Sequence, residues 1–296
     1  MFDSDDLEDK IMKEDIPKSS SDQFPLLKLI LPNFQGKIAS MSSSKKYLYF
    51  ITDIGELFRL KSGDLSSLNQ AYKIRPESSK YPPFKEKITK IWTDSAGNHS
   101  IIRYKNSIFY FNSECGVVKE LKVFKEKQIE VFSVGFDETN QNVFKTGNFL
   151  ISDYNNNIYE YSITIDNIDR DDFSFHDKIS LLDSLIYQDW DKEEDDEISK
   201  EVDSNNRIYS IKFYRANIKP SNQNNQKDQK EQKVIINNGY VIIVTKNKIF
   251  QLRGQIENNS FKSLFDKYKK SHSLYNESCK YLPEGNKNKP MISILI

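Results

Sequence analysis

With 43 Lys plus Arg against 43 Asp plus Glu in 296 residues, the chain is formally neutral, and no global field would draw it to nucleic acid or to anionic lipid. Mean hydropathy is −0.67, and the apolar runs are only strand-length, far below the ~20 residues of a helical membrane span. The acidic start, Met1-Phe-Asp-Ser-Asp-Asp-Leu-Glu-Asp-Lys10, has neither the basic start nor the apolar core of a secretory signal, and Cys115 and Cys279 are too few for a disulfide framework, so a cytoplasmic chain is expected.

Seven acidic residues in the first fifteen and the run Ser19-Ser-Ser21 predict a disordered acidic tail over 1–23. Order is expected from Phe24. Strands are predicted at Leu26 to Leu31, Ile38 to Met41, Tyr47 to Thr52 and Gly55 to Leu60, with Asp53-Ile-Gly55 as a hairpin turn, making a first unit over about 24–75. Pro76, Pro82 and Pro83 lack the amide donor that a central strand requires and mark a linker. A second unit, about 87–123, opens with Ile88 to Trp92, turns through Thr93-Asp-Ser-Ala-Gly-Asn98, and ends in an outer edge strand over Val117 to Val123. The third, about 129–165, has Asn155-Asn-Asn157 as its turn.

From Asp166 to Asn206 the acidic content predicts an insertion, 166–206, mostly solvated, with a short helix around Ser180 to Ile186. The fourth unit, about 207–254, is interrupted over 217–233 by a polar tract rich in Asn, Gln and Lys that cannot build a core. Phe261, Leu264, Phe265 and Tyr268 recur at helical spacing behind Ser260, which predicts a short helix near 260–270. Met291 to Ile296 reads as the start of a further strand left unpaired, so the sequence is expected to be a fragment or a truncated product.

One strand recurs in all four units: Gly55-Glu-Leu-Phe-Arg-Leu60, Ser107-Ile-Phe-Tyr-Phe-Asn112, Asn157-Ile-Tyr-Glu-Tyr-Ser162 and Lys248-Ile-Phe-Gln-Leu252. Leu57, Ile108, Ile158 and Ile249 are equivalent, at steps of 51, 50 and 91 residues. A period of roughly 40 to 50 residues built from short strands is what the blade of a β-propeller produces. A β-sandwich also spaces its strands closely, but it does not require the same strand to return at a fixed offset. The expected fold is all-β: a propeller of four-stranded antiparallel blades, about four of them, spanning 24–296.

Residues capable of chemistry are scattered. His99, His176 and His272 form no metal-ligand spacing with one another or with Cys115 and Cys279, and neither cysteine has a base beside it in sequence. His99 is expected to bond local backbone at a turn. Asp94, Asp137 and Asp153 lie near strand ends, where a glycosidase would place paired carboxylates and where turns use aspartate equally well. No phosphate-binding glycine loop is present among ten glycines. Phe58, Phe109, Tyr110, Phe111, Tyr159, Tyr161 and Phe250 could stack on bases, but their recurrence at one blade position points to packing between blades. Asp191 to Glu197 reads as a solvated acidic run, with recruitment of a basic partner as its functional alternative. No catalytic, cofactor or metal site is expected. The matches to the glycosylation pattern at Asn98, Asn258 and Asn276 are read as chance.

The order of the segments resembles the vacuolar protein sorting-associated protein 18, or deep orange, family. The resemblance runs through Lys90-Ile-Trp-Thr-Asp-Ser-Ala-Gly-Asn-His-Ser-Ile-Ile102, Val134-Gly-Phe136, Gly147-Asn-Phe-Leu-Ile151 and Asn157-Ile-Tyr-Glu160. It closes with Val241 to Gly254 and the Phe261-Lys-Ser-Leu-Phe-Asp-Lys-Tyr268 helix, the most specific of the matches. The resemblance implies a seven-bladed propeller followed by an α-solenoid and a zinc-binding RING, of which this chain would hold about four blades. It also implies a non-enzymatic scaffold of the HOPS and CORVET tethering complexes, acting in docking and fusion at the late endosome, lysosome or vacuole. The implied partners are other class C subunits, with Rab GTPases and SNAREs reached indirectly and membrane contact made peripherally through the complex. A generic cytosolic propeller adaptor and a propeller glycosidase are the alternative readings.

Overall fold

The computed structural model describes residues 36–75, 82–166, 174–184, 207–216, 236–245, 248–257, 260–269 and 279–281. They form four antiparallel sheets of four strands, each a meander in chain order. The first holds β1 (Ile38–Ser43), β2 (Tyr47–Thr52), β3 (Glu56–Lys61) and β4 (Asp64–Lys73); the second β5 (Lys90–Thr93), β6 (His99–Tyr104), β7 (Ser107–Asn112) and β8 (Val117–Glu120). The third holds β9 (Val131–Gly135), β10 (Lys145–Asp153), β11 (Asn157–Asp166) and β12 (Ser174–Ser184); the fourth β13 (Ser210–Ala216), β14 (Ile236–Val244), β15 (Lys248–Glu257) and β16 (Cys279–Tyr281). Two short helices, α1 (Lys122–Glu126) and α2 (Lys262–Lys269), follow β8 and β15.

The equivalence of Leu57, Ile108, Ile158 and Ile249 holds in space: each is the second residue of the third strand of its sheet. The first strands adjoin one another from sheet to sheet. Ile91 and Thr93 of β5 donate their amides to the hydroxyls of Ser40 and Ser42 on β1, at 3.2 and 3.1 Å. Asp137, just past β9, bridges Phe213 of β13 in parallel. Sheets that face each other through neighbouring inner strands are propeller blades.

A blade with neighbours on both sides loses the alternation of apolar and polar residues that marks a half-exposed strand, and β6 and β7 are buried at every position. Their two faces point to different cores. Ile101, Ile108 and Tyr110 face the third sheet and join the core that continues through Phe149, Ile158, Phe213 and Leu252. Ile102, Tyr104, Phe109 and Phe111 face the first sheet and pack with Tyr49, Ile51 and Leu57. The aromatic run Ile108-Phe-Tyr-Phe111 is therefore needed on both faces at once.

Several expectations are corrected. The outer strand of the first sheet is Asp64–Lys73, which pairs with β3; its mostly exposed, polar composition gives no strand signal, and none is expected there from the sequence. The edge strand expected over Val117 to Val123 stops at Glu120, because Leu121 and Phe124 are 2% and 0% exposed and the chain coils into α1 to bury them. The acidic insertion is not loop throughout: Ser174–Ser184 is a strand that pairs along the whole of β11, from Asp166 with Ser174 to Asn157 with Ser184, and no helix begins at Ser180. An unpaired ten-residue β11 would leave its outer row of amides and carbonyls without partners, and β12 satisfies them. The expected helix near 260–270 is present as α2, with Phe261, Leu264, Phe265 and Tyr268 buried. The tail, the strand at Leu26 to Leu31, the tract 217–233 and the terminal strand at Met291 to Ile296 lie outside the described residues.

Candidate interaction face

The seam between the second and third sheets carries an apolar centre and a polar clasp at each end. The register dictates this: on the face that meets the third sheet, His99 pairs with Asn112, Ile101 with Tyr110 and Arg103 with Ile108. Ile101, Ile108 and Tyr110 fill the middle, and His99 and Arg103 fall at opposite ends.

At the first end, the fully buried His99 ring bonds the Tyr110 hydroxyl through Nδ1 and the Asn142 carbonyl through Nε2, both at 2.7 Å. A carbonyl can only accept, so Nε2 carries the proton and Nδ1 accepts from Tyr110. Tyr110 in turn accepts from Asn112 Nδ2 at 3.2 Å, and the same amide nitrogen donates to the Val143 carbonyl at 2.7 Å. Burial pushes the imidazole pKa down, opposed by the nearby Asp94 carboxylate. His99 thus does more than the local turn bonding expected of it. Its backbone amide closes the turn on Asp94 Oδ1 at 2.9 Å, while its ring reaches the loop of the next blade.

At the second end, Arg103 is 1% exposed. It donates to the Val131 carbonyl at 2.8 Å and to the Glu86 carbonyl, stands 3.5 Å from Glu130 Oε2, and lies over the rings of Phe84 and Tyr154. Around it is a half-exposed rim. Lys90 sits over Trp92 and Phe132 at 5.1 and 5.4 Å, and Arg207 over Tyr154 and Phe132 at 4.7 and 5.6 Å. Glu86 accepts from the Tyr154 hydroxyl at 2.9 Å and pairs with Arg207 at 3.3 Å. Phe132 meets Tyr154 and Tyr209 edge-on at 4.9 and 5.5 Å. Sequence reasoning missed this cluster. Its one signal was a charge inside an otherwise apolar strand, Arg103 in Ile101-Ile-Arg-Tyr104.

The aspartates are placed by structural duties. Asp153 accepts from the amides of Asn155 and Asn157 at 2.8 and 2.9 Å, and from Asn157 Nδ2 and the Tyr159 hydroxyl. Asp137 pairs with Arg215 Nε at 2.8 Å across the seam to the fourth sheet. Val131 pairs with Asp153 and Gly135 with Leu150, so Asp137 and Asp153 stand at opposite ends of their sheet. Their separation is roughly 20 Å at the rise of a strand, far beyond the ~5 to 9.5 Å of glycosidase carboxylate pairs. Asp94 is buried, and burial pushes its carboxyl pKa up.

His176 is exposed on β12, 3.8 Å from Asp166. Cys115 is half-buried in the turn after β7, where burial and Glu114 raise its thiol pKa, the opposite of nucleophile activation. Cys279 lies on β16. Phe109, Tyr110, Phe111, Tyr161 and Phe250 are buried, with Phe111 edge-on to Tyr49 and Tyr161 edge-on to Phe149. Phe58 stacks on Phe50 at 5.0 Å, and Tyr159 is half-buried. His272 and the acidic run Asp191 to Glu197 lie outside the described residues. Among the described residues no cluster of His, Cys, Asp or Glu has the arrangement of a metal site, and no helix is long and apolar enough to cross a membrane.

Stacked meanders joined through buried clasps define the molecule as a β-propeller repeat protein. Residues 24–294 match the model of the Pep3/Vps18/deep orange beta-propeller domain, and the chain belongs to that family. Among solved structures it is similar to the WD40 domain of Neurospora crassa Pan2, with TM-score 0.32 and 10% identity over 75% of this chain and 50% of that one. It is similar also to the WD40 domain of fission yeast SCAP, with TM-score 0.37 and 11% identity over 75% and 42%. A third likeness is to the N-terminal domain of Nup159, with TM-score 0.32 and 9% identity over 90% and 70%. The chain thus spans half or less of the first two structures it matches. No curated protein matches it in sequence.

Proposed function

We propose that the chain is a non-enzymatic scaffold module of a class C tethering subunit, working in the HOPS and CORVET complexes during docking and fusion at the late endosome, lysosome or vacuole. The observation that carries this reading is the family match across 24–294. The placement of reactive side chains supports it: His99, Asp137 and Asp153 are all occupied in joining blades or closing turns. In this role the propeller is cytoplasmic and peripheral on the membrane. Other class C subunits are its direct partners, and Rab GTPases and SNAREs are reached through the assembled complex.

Affinity purification of the tagged full chain, with fractionation of the lysate, tests the reading. The expected result is recovery of the other class C subunits and enrichment on endolysosomal or vacuolar membranes. Recovery of unrelated partners only would replace it with a generic adaptor, and turnover of glycosides by the purified chain would replace it with an enzyme.

A further inference from the structure

The rim of the Arg103 clasp contains a cation with no carboxylate of its own. Arg103 stands beside Glu130, and Arg207 is paired with Glu86. Lys90 has neither: its single hydrogen bond among the described residues is a long one, 3.4 Å, to the Phe132 carbonyl. Three cations against two carboxylates leave one positive charge over, and it resides on Lys90, a partly buried residue. An ammonium carries three donors, so two remain for a ligand.

The surroundings of that ammonium are aromatic. Lys90 and Trp92 are two residues apart on β5 and therefore project to the same side, toward Phe132 of β9. Burial and the neighbouring Arg103 charge both push the Lys90 pKa down, so the protein holds this charge at a cost that a bound anion would relieve. A cation seated on Trp and Phe rings, with Tyr209 and Arg207 alongside, has the composition of an interface hot spot.

We propose that Lys90 and Trp92, backed by Phe132, form a docking subsite for an acidic peptide, in which Lys90 takes one carboxylate and Trp92 packs against the adjoining apolar residue. The chemistry favours a carboxylate over a phosphate. A phosphate group carries up to two charges, whereas of the three cations here Arg103 already stands beside Glu130 and Arg207 is already paired with Glu86. One spare cation matches one carboxylate. This subsite does not depend on which complex the chain joins.

The test is fluorescence anisotropy of a labelled, blocked Glu-Glu-Leu-Phe-Glu-Glu peptide and its Gln-for-Glu isostere against the full chain. We expect the acidic peptide to bind about tenfold more tightly at low salt, and the difference to shrink as salt rises. Lys90→Met should abolish the preference, Lys90→Arg should retain most of it, and Lys119→Met, an exposed change on β8 of the same sheet, should leave it intact. A thermal melt of each variant separates loss of binding from loss of fold. Equal binding of the two peptides, no binding of either, or a preference that survives Lys90→Met would overturn the proposal. So would binding confined to phosphatidylserine vesicles, which would mark the rim as a lipid contact.

Discussion

His99 and Arg103 are the same device built from different chemistry: a polar side chain at one end of a buried seam, hydrogen-bonded to the backbone of the next blade. For His99 the use requires a neutral ring. If Nδ1 were protonated it would have to donate to the Tyr110 hydroxyl, which already accepts from Asn112, and the hydroxyl hydrogen would be left without its present acceptor. The folded pKa lies below the unfolded value of about 6.5, so as pH falls through that value the unfolded chain binds a proton that the folded chain refuses, and stability declines. Asp94 acts with the opposite sign. Its carboxyl is raised, so stability recovers only as pH falls through that raised value. Melts at pH 7.5 and 5.5 should therefore show a larger loss of Tm for the wild type than for His99→Gln; equal losses would refute the neutral-ring account. For Arg103, substitution by Met keeps the volume but strands the Val131 and Glu86 carbonyls and weakens the pairing of Glu130. A loss of about 3 kcal/mol in urea unfolding is expected, and Arg103→Lys should recover little because one ammonium cannot span the fork. From sequence, His99 was visible as a residue and invisible as a clasp, since nothing in its own segment names Asn142 as its partner.

At the scale of elements, α2 depends on a residue a hundred positions away. Glu160 of β11 is 7% exposed and accepts from the Phe261 amide at 2.9 Å, the Ser260 hydroxyl at 2.8 Å and Asn148 Nδ2 at 2.8 Å. Ser260 itself accepts from the Lys262 amide at 3.3 Å, the local cap its position suggested. The carboxylate adds a negative charge where the helix presents unsatisfied amides, and it ties the fourth sheet's helix to the third sheet. Glu160→Gln should cost about 1 kcal/mol and Glu160→Ala about 2. Hydrogen exchange should quicken at the amides of Phe261 to Phe265 while those of β10 keep their protection; unchanged exchange in α2 would mean that Ser260 suffices. The elements themselves were unevenly legible. Inner strands such as Tyr47–Thr52 and Ser107–Asn112 announce themselves by apolar content, because both faces are covered. Outer strands such as Asp64–Lys73 and Ser174–Ser184 were missed because solvent lies on most of their surface, and their composition is that of loop.

The repeat was legible in the sequence because each of the four described blades carries a branched aliphatic residue, Leu57, Ile108, Ile158 or Ile249, at the second position of its third strand, whatever its neighbours do. The clasps were not, since each seam solves its polar bonding separately: Tyr49 to the Gly97 carbonyl between the first and second sheets, His99 and Arg103 between the second and third, Arg215 and Asp137 between the third and fourth. Separate seams make a nearest-neighbour prediction about the molecule's cooperativity. Adjacent residues of β6 probe two of them. Ile101 belongs to the core shared with the third sheet and Ile102 to the core shared with the first, and both are fully buried. Either isoleucine to alanine change should cost about 2 to 4 kcal/mol. The losses should be read in different places, with exchange rising first at β2 and β3 in Ile102→Ala and at β10 and β11 in Ile101→Ala. If instead both variants raise exchange uniformly across all four sheets, the blades unfold as one unit and the seams are not energetically separate.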